Sequence, residues 1–409
     1  MADPSTSPPL TRPSVQQARE LINPHIHLTP VLTNTTLTRL ASAPRSPEAL
    51  RANPDWEEGR APAAPSIRLW FKCENLQRIG AFKVRGAFYA VERLKADEGW
   101  VQGGGLGRGV VTHSSGNHAQ ALALAARESG IPAHIVMPDI SAAPKVAATR
   151  GYGANVIFSG STSVEREAAA AKVIAETGAT LVPPYDHPDI ILGQGTLGLE
   201  FQEQVEGLIE TGGGGGGDGE EEGKRENGHD TPYDGAKRKK KKNKDGRGPG
   251  LDAIIAPCGG GGMLSGVALS CEGTGIRVFG AEPSFEGADD CRRGFEAGER
   301  VEAVSTLTIA DGLRTPVGRY PWGIIYERRL VGQVFSVTED EIRAALRLVL
   351  ERMKLVIEPS AAVPLAVALY NEDFRSLVER EAGEEGWDVG IVFSGGNVAL
   401  ENLGKLLAP

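Results

Sequence analysis

Lys83 is the residue whose type and position most directly suggest covalent chemistry. It follows an apolar, strand-like run at residues 67–71 and a polar turn, and helix-forming residues begin near its position. Backbone N–H groups and the positive end of the dipole at a helix start disfavour an added positive charge, which predicts a lowered lysine pKa. Such an amine suits Schiff-base formation. The alternative is a solvated surface lysine, the usual environment of this residue type.

A run of four glycines is the second candidate feature. Gly259, Gly260, Gly261 and Gly262 lie between an apolar run and a helix-forming segment. Without Cβ atoms, their backbone N–H groups can approach an anion with the helix dipole behind them, which indicates a phosphate-binding turn. A plain tight turn is the alternative. The four-glycine turn itself fits neither the GxGxxG nor the Walker pattern, so it does not predict a dinucleotide or a nucleoside triphosphate here.

Strand–turn–helix units must position these features. The predicted strands are residues 67–71, 133–137, 155–158, 251–257, 277–282 and 389–393, with another beginning at residue 110. The predicted helices are residues 14–22, 142–150, 163–176 and 339–355, with another beginning at residues 193–196 and ending at residue 205. This alternation indicates βαβ units. The predicted fold class is therefore α/β, with parallel sheets flanked by helices.

Composition excludes several classes of protein. A chain of 409 residues is long enough for two domains or one large α/β domain. Its net charge of −9 argues against a general nucleic-acid binder. The apolar runs are too short to span a membrane, and the first residues lack the pattern of a signal peptide. We therefore expect a cytoplasmic protein with neither a membrane nor a nucleic-acid partner.

The cysteines show no metal-ligand spacing. Cys73, Cys258, Cys271 and Cys291 form no CxxC pair and no Cys/His cluster. Few, unpatterned cysteines are typical of reduced thiols in an intracellular protein. The spacing therefore predicts neither a disulfide framework nor a zinc site.

Three segments interrupt the pattern of a folded domain. Residues 1–13 are rich in Pro, Ser and Thr and are predicted to be disordered, and residues 41–65 are predicted to form a loop insertion. Residues 210–250 combine glycine, acidic and lysine runs, a low-complexity composition that cannot bury enough surface to become ordered. The basic stretch from Lys237 to Lys244 would suit nuclear import, but a solvated, disordered insertion is the preferred interpretation.

Four short motifs occur along the chain in a fixed order. They are Ala81-Phe82-Lys83-Val84-Arg85-Gly86-Ala87, Ser114-Ser115-Gly116-Asn117-His118, Gly259-Gly260-Gly261-Gly262-Met263 and Ser394-Gly395-Gly396-Asn397. In this order they resemble pyridoxal-phosphate enzymes of the tryptophan-synthase-β type, in particular the branch of serine racemase and serine/threonine dehydratase. The resemblance implies a two-domain fold. A large cofactor-binding domain would comprise residues 14–108 and 185–409, and a small mobile domain, residues 109–184, would close over the site.

The resemblance also implies that pyridoxal 5'-phosphate is the cofactor. Lys83 would hold it covalently and would then take up the Cα proton of the substrate. Asn117 would hydrogen-bond the ring hydroxyl, and Ser394 would face the ring nitrogen. The phosphate would be bound by Gly259, Gly260, Gly261, Gly262 and Met263.

The same resemblance implies a set of substrate-binding residues. They are Ser114, Ser115, Asn117, His118 and Arg166. In the racemase branch, a serine at the position of Ser115 exchanges the proton on the face opposite the lysine. A turn hydroxyl without a catalytic role is the alternative for Ser115.

The implied reaction follows from the residue facing the ring nitrogen. A neutral Ser394 hydroxyl leaves that nitrogen largely unprotonated, so the ring is a weaker electron sink. This suits loss of a β-hydroxyl better than a long-lived carbanion. We therefore predict deamination of L-serine, L-threonine or 3-hydroxyaspartate to a 2-oxo acid and ammonia. The alternatives are racemisation of serine and, from another class, a catalytically silent cofactor-binding protein.

The resemblance further implies a divalent-cation site. Glu282, Asp290 and the backbone carbonyl of Ala288 match it, and their oxygen atoms suit Mg²⁺ or Ca²⁺. The segment Phe285-Glu286-Gly287 stands where the family usually has a shorter turn.

A nucleotide site is also implied. Gln120 and the pair Arg352 and Lys354 resemble positions that line an ATP effector pocket at a homodimer interface. A solvated helix face is the alternative for the two cationic residues.

Two positions depart from the family pattern. Ala81 replaces a serine two residues before the lysine, which removes a hydroxyl that could cap the helix or contact the cofactor. Pro364 lies in a run that is usually rich in small residues and glycine. Both departures bear on substrate preference.

Overall fold

A computed structural model of the chain describes residues 3–51, 59–114, 116–141, 143–211 and 250–407. Within these ranges the chain forms ten strands. The strands are Val31–Thr33 (β1), Ile67–Cys73 (β2), Val110–His113 (β3), Ala133–Pro138 (β4), Asn155–Ser159 (β5), Thr180–Leu181 (β6), Ala253–Pro257 (β7), Arg277–Pro283 (β8), Gln333–Val337 (β9) and Trp387–Phe393 (β10).

Seventeen α-helices lie in the same described ranges. They are Arg12–Ile22 (α1), Thr35–Ser42 (α2), Pro47–Arg51 (α3), Lys83–Ala96 (α4), Glu98–Gln102 (α5), Gly105–Arg108 (α6), Asn117–Glu128 (α7), Ala143–Gly151 (α8), Ser163–Thr177 (α9), Pro188–Glu210 (α10), Gly262–Cys271 (α11), Asp290–Ala297 (α12), Arg319–Trp322 (α13), Glu339–Leu348 (α14), Pro359–Tyr370 (α15), Glu372–Ala382 (α16) and Leu400–Leu406 (α17). The side chains of Thr162 and Thr338 begin α9 and α14 with capping boxes.

The strands form two sheets. The larger sheet has the order β1-β2-β10-β7-β8-β9 and the smaller has the order β5-β4-β3-β6. Neighbouring strands are parallel in both sheets, except that β1 is antiparallel to β2. The predicted α/β class is therefore confirmed. Strands β2, β7 and β10 are parallel neighbours, so their carboxyl ends share one edge, where open α/β sheets bind ligands.

Helices α10 and α11 cross in close contact because glycines remove side chains from the crossing. A Cβ atom on Gly195 would lie 2.6 Å from the carbonyl oxygen of Gly266, and one on Gly198 would lie 2.1 Å from Oγ of Ser270. The sequence-based prediction of a helix start at residues 193–196 is wrong. There the glycines allow close packing in the middle of one long helix.

The N-terminal segment also differs from the sequence-based prediction. Residues 4–6 form a 3-10 turn, which the side chain of Asp3 caps by accepting a hydrogen bond from the Ser5 N–H (2.9 Å). Nη2 of Arg93 donates to the carbonyl oxygen of Thr6 (2.8 Å), which fixes this turn against α4. The prediction of disorder at residues 1–13 is therefore wrong for residues 3–13.

The two predicted insertions are only partly described. Within residues 41–65, helix α3 replaces part of the expected loop, and residues 52–58 lie outside the described ranges. Of residues 210–250, all but residues 210, 211 and 250 lie outside, and so does the basic stretch from Lys237 to Lys244. No helix in the described part of the chain is long and apolar enough to cross a bilayer.

Candidate active site

Lys83 is the first residue of α4, as its sequence neighbours predict. Its half-buried side chain places Nζ 2.7 Å from the carbonyl oxygen of Pro184, to which it donates a hydrogen bond. Burial lowers the pKa of Lys83 to about 8, although the negative charge of Glu358 opposes this shift. The amine is thus close to the neutral form in which it can act as a nucleophile or a base.

The chain before Lys83 is held in a strained conformation. Ile79 has φ of 59°, a left-handed backbone that is rare for a β-branched residue. Its carbonyl oxygen accepts a hydrogen bond from Nδ2 of Asn397 (2.7 Å), and Ala81 forms an isolated bridge with Gly395. Strain of this kind persists only where surrounding contacts enforce it, and it is common at functional sites. The contacts with residues 395–397 therefore set the entry of the chain into α4.

A buried ion cluster fixes α4 from the other side. Arg85 donates from Nε and Nη2 to the carboxylate of Glu74 (2.7 and 2.9 Å), and from Nη1 and Nη2 to that of Glu200 (2.7 and 2.8 Å). Lys72 donates to Glu200 (2.9 Å), so two cations face two carboxylates. Each of these side chains is at most 2% exposed. The cluster connects β2, α10 and the first turn of α4, on which Lys83 lies.

The glycine turn is enclosed by large side chains. A Cβ atom on Gly260 would lie 2.4 Å from the ring of Tyr185, and one on Gly261 would lie 2.7 Å from Cβ of Pro321. Gly261 also has φ of 82°, which favours glycine. Helix α11 begins at the next residue, and Met263 is buried in its first turn. Because the first N–H groups of a helix have no acceptor within it, this turn can bind an anion.

Glu358 is a site residue to which the sequence analysis gave no role. Nδ2 of Asn117 donates to both of its carboxylate oxygens, at 3.0 and 3.2 Å. Oδ1 of Asn117 accepts from Nδ2 of Asn397 (2.8 Å), so the three side chains form one network. Burial, followed by the charge of Asp311, raises the pKa of Glu358 to about 7. An acidic residue directly before the proline that starts α15 was the available sequence signal.

Two serines predicted to act at the site follow the ends of strands. Ser394 comes directly after β10 and is buried, and its carbonyl oxygen accepts the N–H of Phe82 (3.0 Å). This bond places Ser394 beside the start of α4. Ser114 follows β3, and its Oγ accepts a hydrogen bond from the N–H of Gly116 (3.4 Å). Ser115 lies outside the described residues.

The imidazole of His118 lies in the interior. It is 1% exposed, and its Nε2 lies 3.1 Å from the carbonyl oxygen of Val182. Burial, with the nearby charge of Lys83, lowers the pKa of His118 to about 3, so the ring is neutral. The contact with Val182 ties the ring to the residue after β6, and a role of His118 in substrate binding stays a prediction.

Arg166 is half-buried in the first turn of α9, near the end of β3. Burial lowers the pKa of His113, on which the charges of Glu167 and Arg166 act in opposite directions. The arginine is thus near the Ser114 turn in space although α7, β4, α8 and β5 separate them in sequence.

The residues expected to bind a divalent cation are buried. Glu282 accepts the backbone N–H groups of Cys291 (3.1 Å) and Arg292 (2.9 Å). Oδ2 of Asp290 accepts the N–H of Val317 (3.0 Å). Burial raises the pKa of Asp290 to about 6, and burial together with the charge of Asp290 raises that of Glu282. These two carboxylates are thus near each other in an enclosed position.

Two hydrogen bonds hold the turn from Phe285 to Gly287, which is expected from the sequence to be longer than in the family. Oε2 of Glu286 accepts the N–H of Leu307 (2.9 Å), and Oγ1 of Thr306 donates to the carbonyl oxygen of Phe285 (2.8 Å). Ala288 follows and is buried. Residues 285–287 therefore form a 3-10 turn that leads into the buried Ala288.

The residues predicted for a nucleotide differ in exposure. Gln120 is buried on α7, whereas Arg352 and Lys354 are exposed at the turn that follows α14. Their meeting in one pocket stays a prediction. Pro364 lies inside α15, six residues after Glu358, where it cannot donate a backbone hydrogen bond to the carbonyl oxygen of Ser360.

Comparison with known proteins identifies the family. The chain matches the model described as "Pyridoxal-phosphate dependent enzyme" over residues 52–232 and 244–395. It is 38% identical to a serine racemase of Arabidopsis thaliana over 392 residues, 95% of this chain and 94% of that relative. It is 37% identical to an L-threo-3-hydroxyaspartate ammonia-lyase of Saccharomyces cerevisiae over 344 residues, 83% of this chain and 86% of that relative.

A solved structure agrees with these relatives. The structure of maize serine racemase has a TM-score of 0.73 and 34% identity, covering 97% of this chain and 96% of that chain. The chain therefore belongs to the family of pyridoxal-phosphate-dependent enzymes.

The residues present fit pyridoxal phosphate. A lysine amine with a pKa of about 8 suits a covalent bond to the aldehyde. The glycine turn, in which Cβ atoms would collide with Tyr185 and Pro321, presents bare backbone at a helix start to the phosphate. Asn117 offers an amide, and Ser394 lies beside the lysine helix.

Proposed function

We propose that this protein removes ammonia from L-serine, L-threonine or 3-hydroxyaspartate by β-elimination, giving a 2-oxo acid. The observation that carries the proposal is the amine of Lys83, half-buried with a lowered pKa, on a helix start that Ser394 and the Asn117–Asn397 network hold. The relatives support it, because they include an L-threo-3-hydroxyaspartate ammonia-lyase.

The proposed role of each side chain follows from its chemistry. Pyridoxal phosphate, when bound, supplies the electron sink that makes the Cα proton of an amino acid acidic. The neutral amine of Lys83 accepts that proton at Nζ. Glu358, whose pKa is about 7, accepts hydrogen bonds from Asn117 and so fixes the amide that would bind the ring hydroxyl. The neutral Ser394 hydroxyl would leave the ring nitrogen unprotonated, which would favour prompt loss of the β-hydroxyl.

Substrate binding is proposed to use the turn after β3. Ser114, Ser115 and the backbone N–H groups at the start of α7 would bind the substrate carboxylate, with Arg166 near the same turn. The small domain, residues 109–184, carries all of these groups. Its closure would exclude water from the reacting atoms.

Racemisation of serine is the second candidate. Ser115 has the residue type that exchanges a proton on the face opposite the lysine, and a 38% identical relative is a serine racemase. Both reactions begin with the same proton transfer to Lys83, so they can share one site.

One experiment tests both candidates. Purified protein is incubated with L-serine, L-threonine and D-serine, with and without Mg²⁺, and 2-oxo acid and enantiomer content are followed. We expect Lys83→Ala to abolish both reactions, whereas Lys95→Ala, at a partly exposed lysine in the last turn of the same helix, leaves them unchanged. We expect Ser115→Ala to abolish inversion and to spare elimination. Full turnover in Lys83→Ala would contradict the mechanism, and equal loss of both reactions in Ser115→Ala would contradict the two-face scheme.

We also propose a divalent cation, a nucleotide effector and a cellular compartment for this protein. Glu282, Asp290 and the carbonyl of Ala288 would bind Mg²⁺ or Ca²⁺. ATP would bind near Gln120 at a homodimer interface. The protein would act in the cytoplasm, without a nucleic-acid partner.

A further inference from the structure

Two cysteines and a glutamate meet in the interior beside the glycine turn. The sulfur atoms of Cys258 and Cys291 and a carboxylate oxygen of Glu282 all lie within 4.8 Å of one another, and all three residues are buried. Cys258 follows β7 and directly precedes Gly259, Glu282 is in β8, and Cys291 is in the first turn of α12. The fold thus assembles three potential metal ligands from segments whose spacing in the sequence carries no zinc motif.

The carboxyl groups of Glu282 and Asp290 lie at this cluster. In the described ranges neither forms an ion pair, and their oxygens accept hydrogen bonds from backbone N–H groups. Oδ1 of Asp290, a residue 2% exposed, is buried without a hydrogen-bond partner. Buried charges in proteins are usually paired or coordinate a metal. A bound cation would therefore complete the electrostatics of this position.

The donor types select a particular class of cation. Thiolates bind zinc and other thiophilic ions, whereas magnesium and calcium prefer oxygen ligands alone. Two sulfur ligands about 2.3 Å from a tetrahedral zinc lie roughly 3.8 Å apart. The separations in this cluster are at most 4.8 Å, about 1 Å above that value.

We infer that Cys258, Glu282 and Cys291 form a binding site for a thiophilic divalent cation such as Zn²⁺. Its donor set differs from the all-oxygen set of Glu282, Asp290 and Ala288. Because Glu282 belongs to both sets, Zn²⁺ and Mg²⁺ would compete for its carboxylate. Zn²⁺ bound here also connects Cys258, the residue before the glycine turn, to Cys291 of α12.

Co²⁺ provides a direct probe of this site. The complete, cofactor-loaded protein is kept reduced with a phosphine, stripped of metal and titrated with Co²⁺ alone, and thiolate charge-transfer and d–d absorption are recorded as difference spectra. We expect one Co²⁺ per chain in a tetrahedral thiolate site, displaced by Zn²⁺. Cys258→Ser and Cys291→Ser should each weaken Zn²⁺ binding about 100-fold or more and reduce the thiolate band.

Matched variants separate the two donor sets. Cys271→Ser removes a buried thiol of α11 that is outside the cluster, and it should leave Co²⁺ binding unchanged. Asp290→Asn should weaken Mg²⁺ binding and keep the thiolate band. The inference is overturned if Cys258→Ser and Cys291→Ser bind Co²⁺ as the parent does, or if Asp290→Asn loses the thiolate band as fully as they do.

A measurement on the unaltered protein covers the case in which a cysteine variant does not fold. Alkylation of the thiols is mapped by mass spectrometry with and without Zn²⁺. Zn²⁺ should protect Cys258 and Cys291 but not Cys73 or Cys271, and equal protection of all four would count against the site. These readouts do not depend on turnover, so a failure of the proposed reaction would leave them intact.

Discussion

Lys83 and Glu358 show how burial prepares single residues for proton transfer. The same cause, loss of solvation, lowers the pKa of the amine to about 8 and raises that of the carboxyl to about 7. Both groups therefore change protonation state near neutral pH. General acid–base catalysis requires a group that accepts a proton and a group that donates one in this pH range.

The lowered pKa of Lys83 has a kinetic consequence. Only the neutral amine attacks an aldehyde, so the rate at which cofactor-free protein recovers its imine absorption should rise with pH and level off above about 8. Stopped-flow mixing with pyridoxal phosphate across this range measures it. A rate that keeps rising towards pH 10 would show an ordinary, solvated lysine.

Glu358 should make stability depend on pH. Its pKa is near 4.5 in the unfolded chain and about 7 in the folded protein, so its contribution is full below pH 4.5 and is lost as the pH rises through 7. Relative to Glu358→Gln, cofactor-free parent protein should lose about 3 kcal/mol of unfolding free energy over this range. Denaturant unfolding at several pH values measures the difference. Glu98→Gln, at an exposed carboxylate, should show the parent's pH dependence.

Among the helices, the crossing of α10 and α11 connects the site to the core. Helix α10 carries Glu200 of the buried ion cluster, and α11 begins at the glycine turn. Their backbones approach closely because glycines face each other at the crossing. The distance between the lysine helix and the glycine turn therefore depends on residues at this helix crossing.

Gly195→Ala should disturb this crossing. The new Cβ would lie 2.6 Å from the carbonyl oxygen of Gly266, and overpacking of this kind costs about 1–3 kcal/mol. Gly207→Ala, on the same helix with no atom within 4 Å of the new Cβ, should instead stabilise by up to about 1 kcal/mol. Thermal unfolding of both variants provides the test. Equal effects would mean that the crossing is not tightly packed.

At the scale of the whole molecule, one ion pair links the part that contains the four-stranded sheet to the part that contains the six-stranded sheet. Nζ of Lys145, on α8 beside the small sheet, lies 2.6 Å from Oδ2 of Asp311, in the loop that follows α12 of the large part. Both side chains are partly exposed, so the pair itself contributes little stability. Both charges nevertheless act on Glu358, the carboxylate raising its pKa and the amine lowering it.

Variants of this pair should move the titration of Glu358 in opposite directions. Asp311→Asn removes a raising charge, so the pH at which stability falls should become lower. Lys145→Ala removes a lowering charge, so that pH should become higher. The pH dependence of unfolding in cofactor-free protein measures both shifts. A shift in the same direction for both variants would show that the charges do not act on Glu358.

The sequence by itself determined the α/β class, the lysine at a helix start and the glycine turn after a buried strand. These features are local, because apolar runs, turn residues and helix formers stand next to one another along the chain. Only the tertiary structure decided that Glu358 bonds to Asn117, that the His118 ring turns into the interior, and that Cys258 meets Cys291. Each of those results is a contact between segments that are remote in sequence, or the burial of a side chain by such a segment. Contacts and burial of this kind depend on how the whole chain packs.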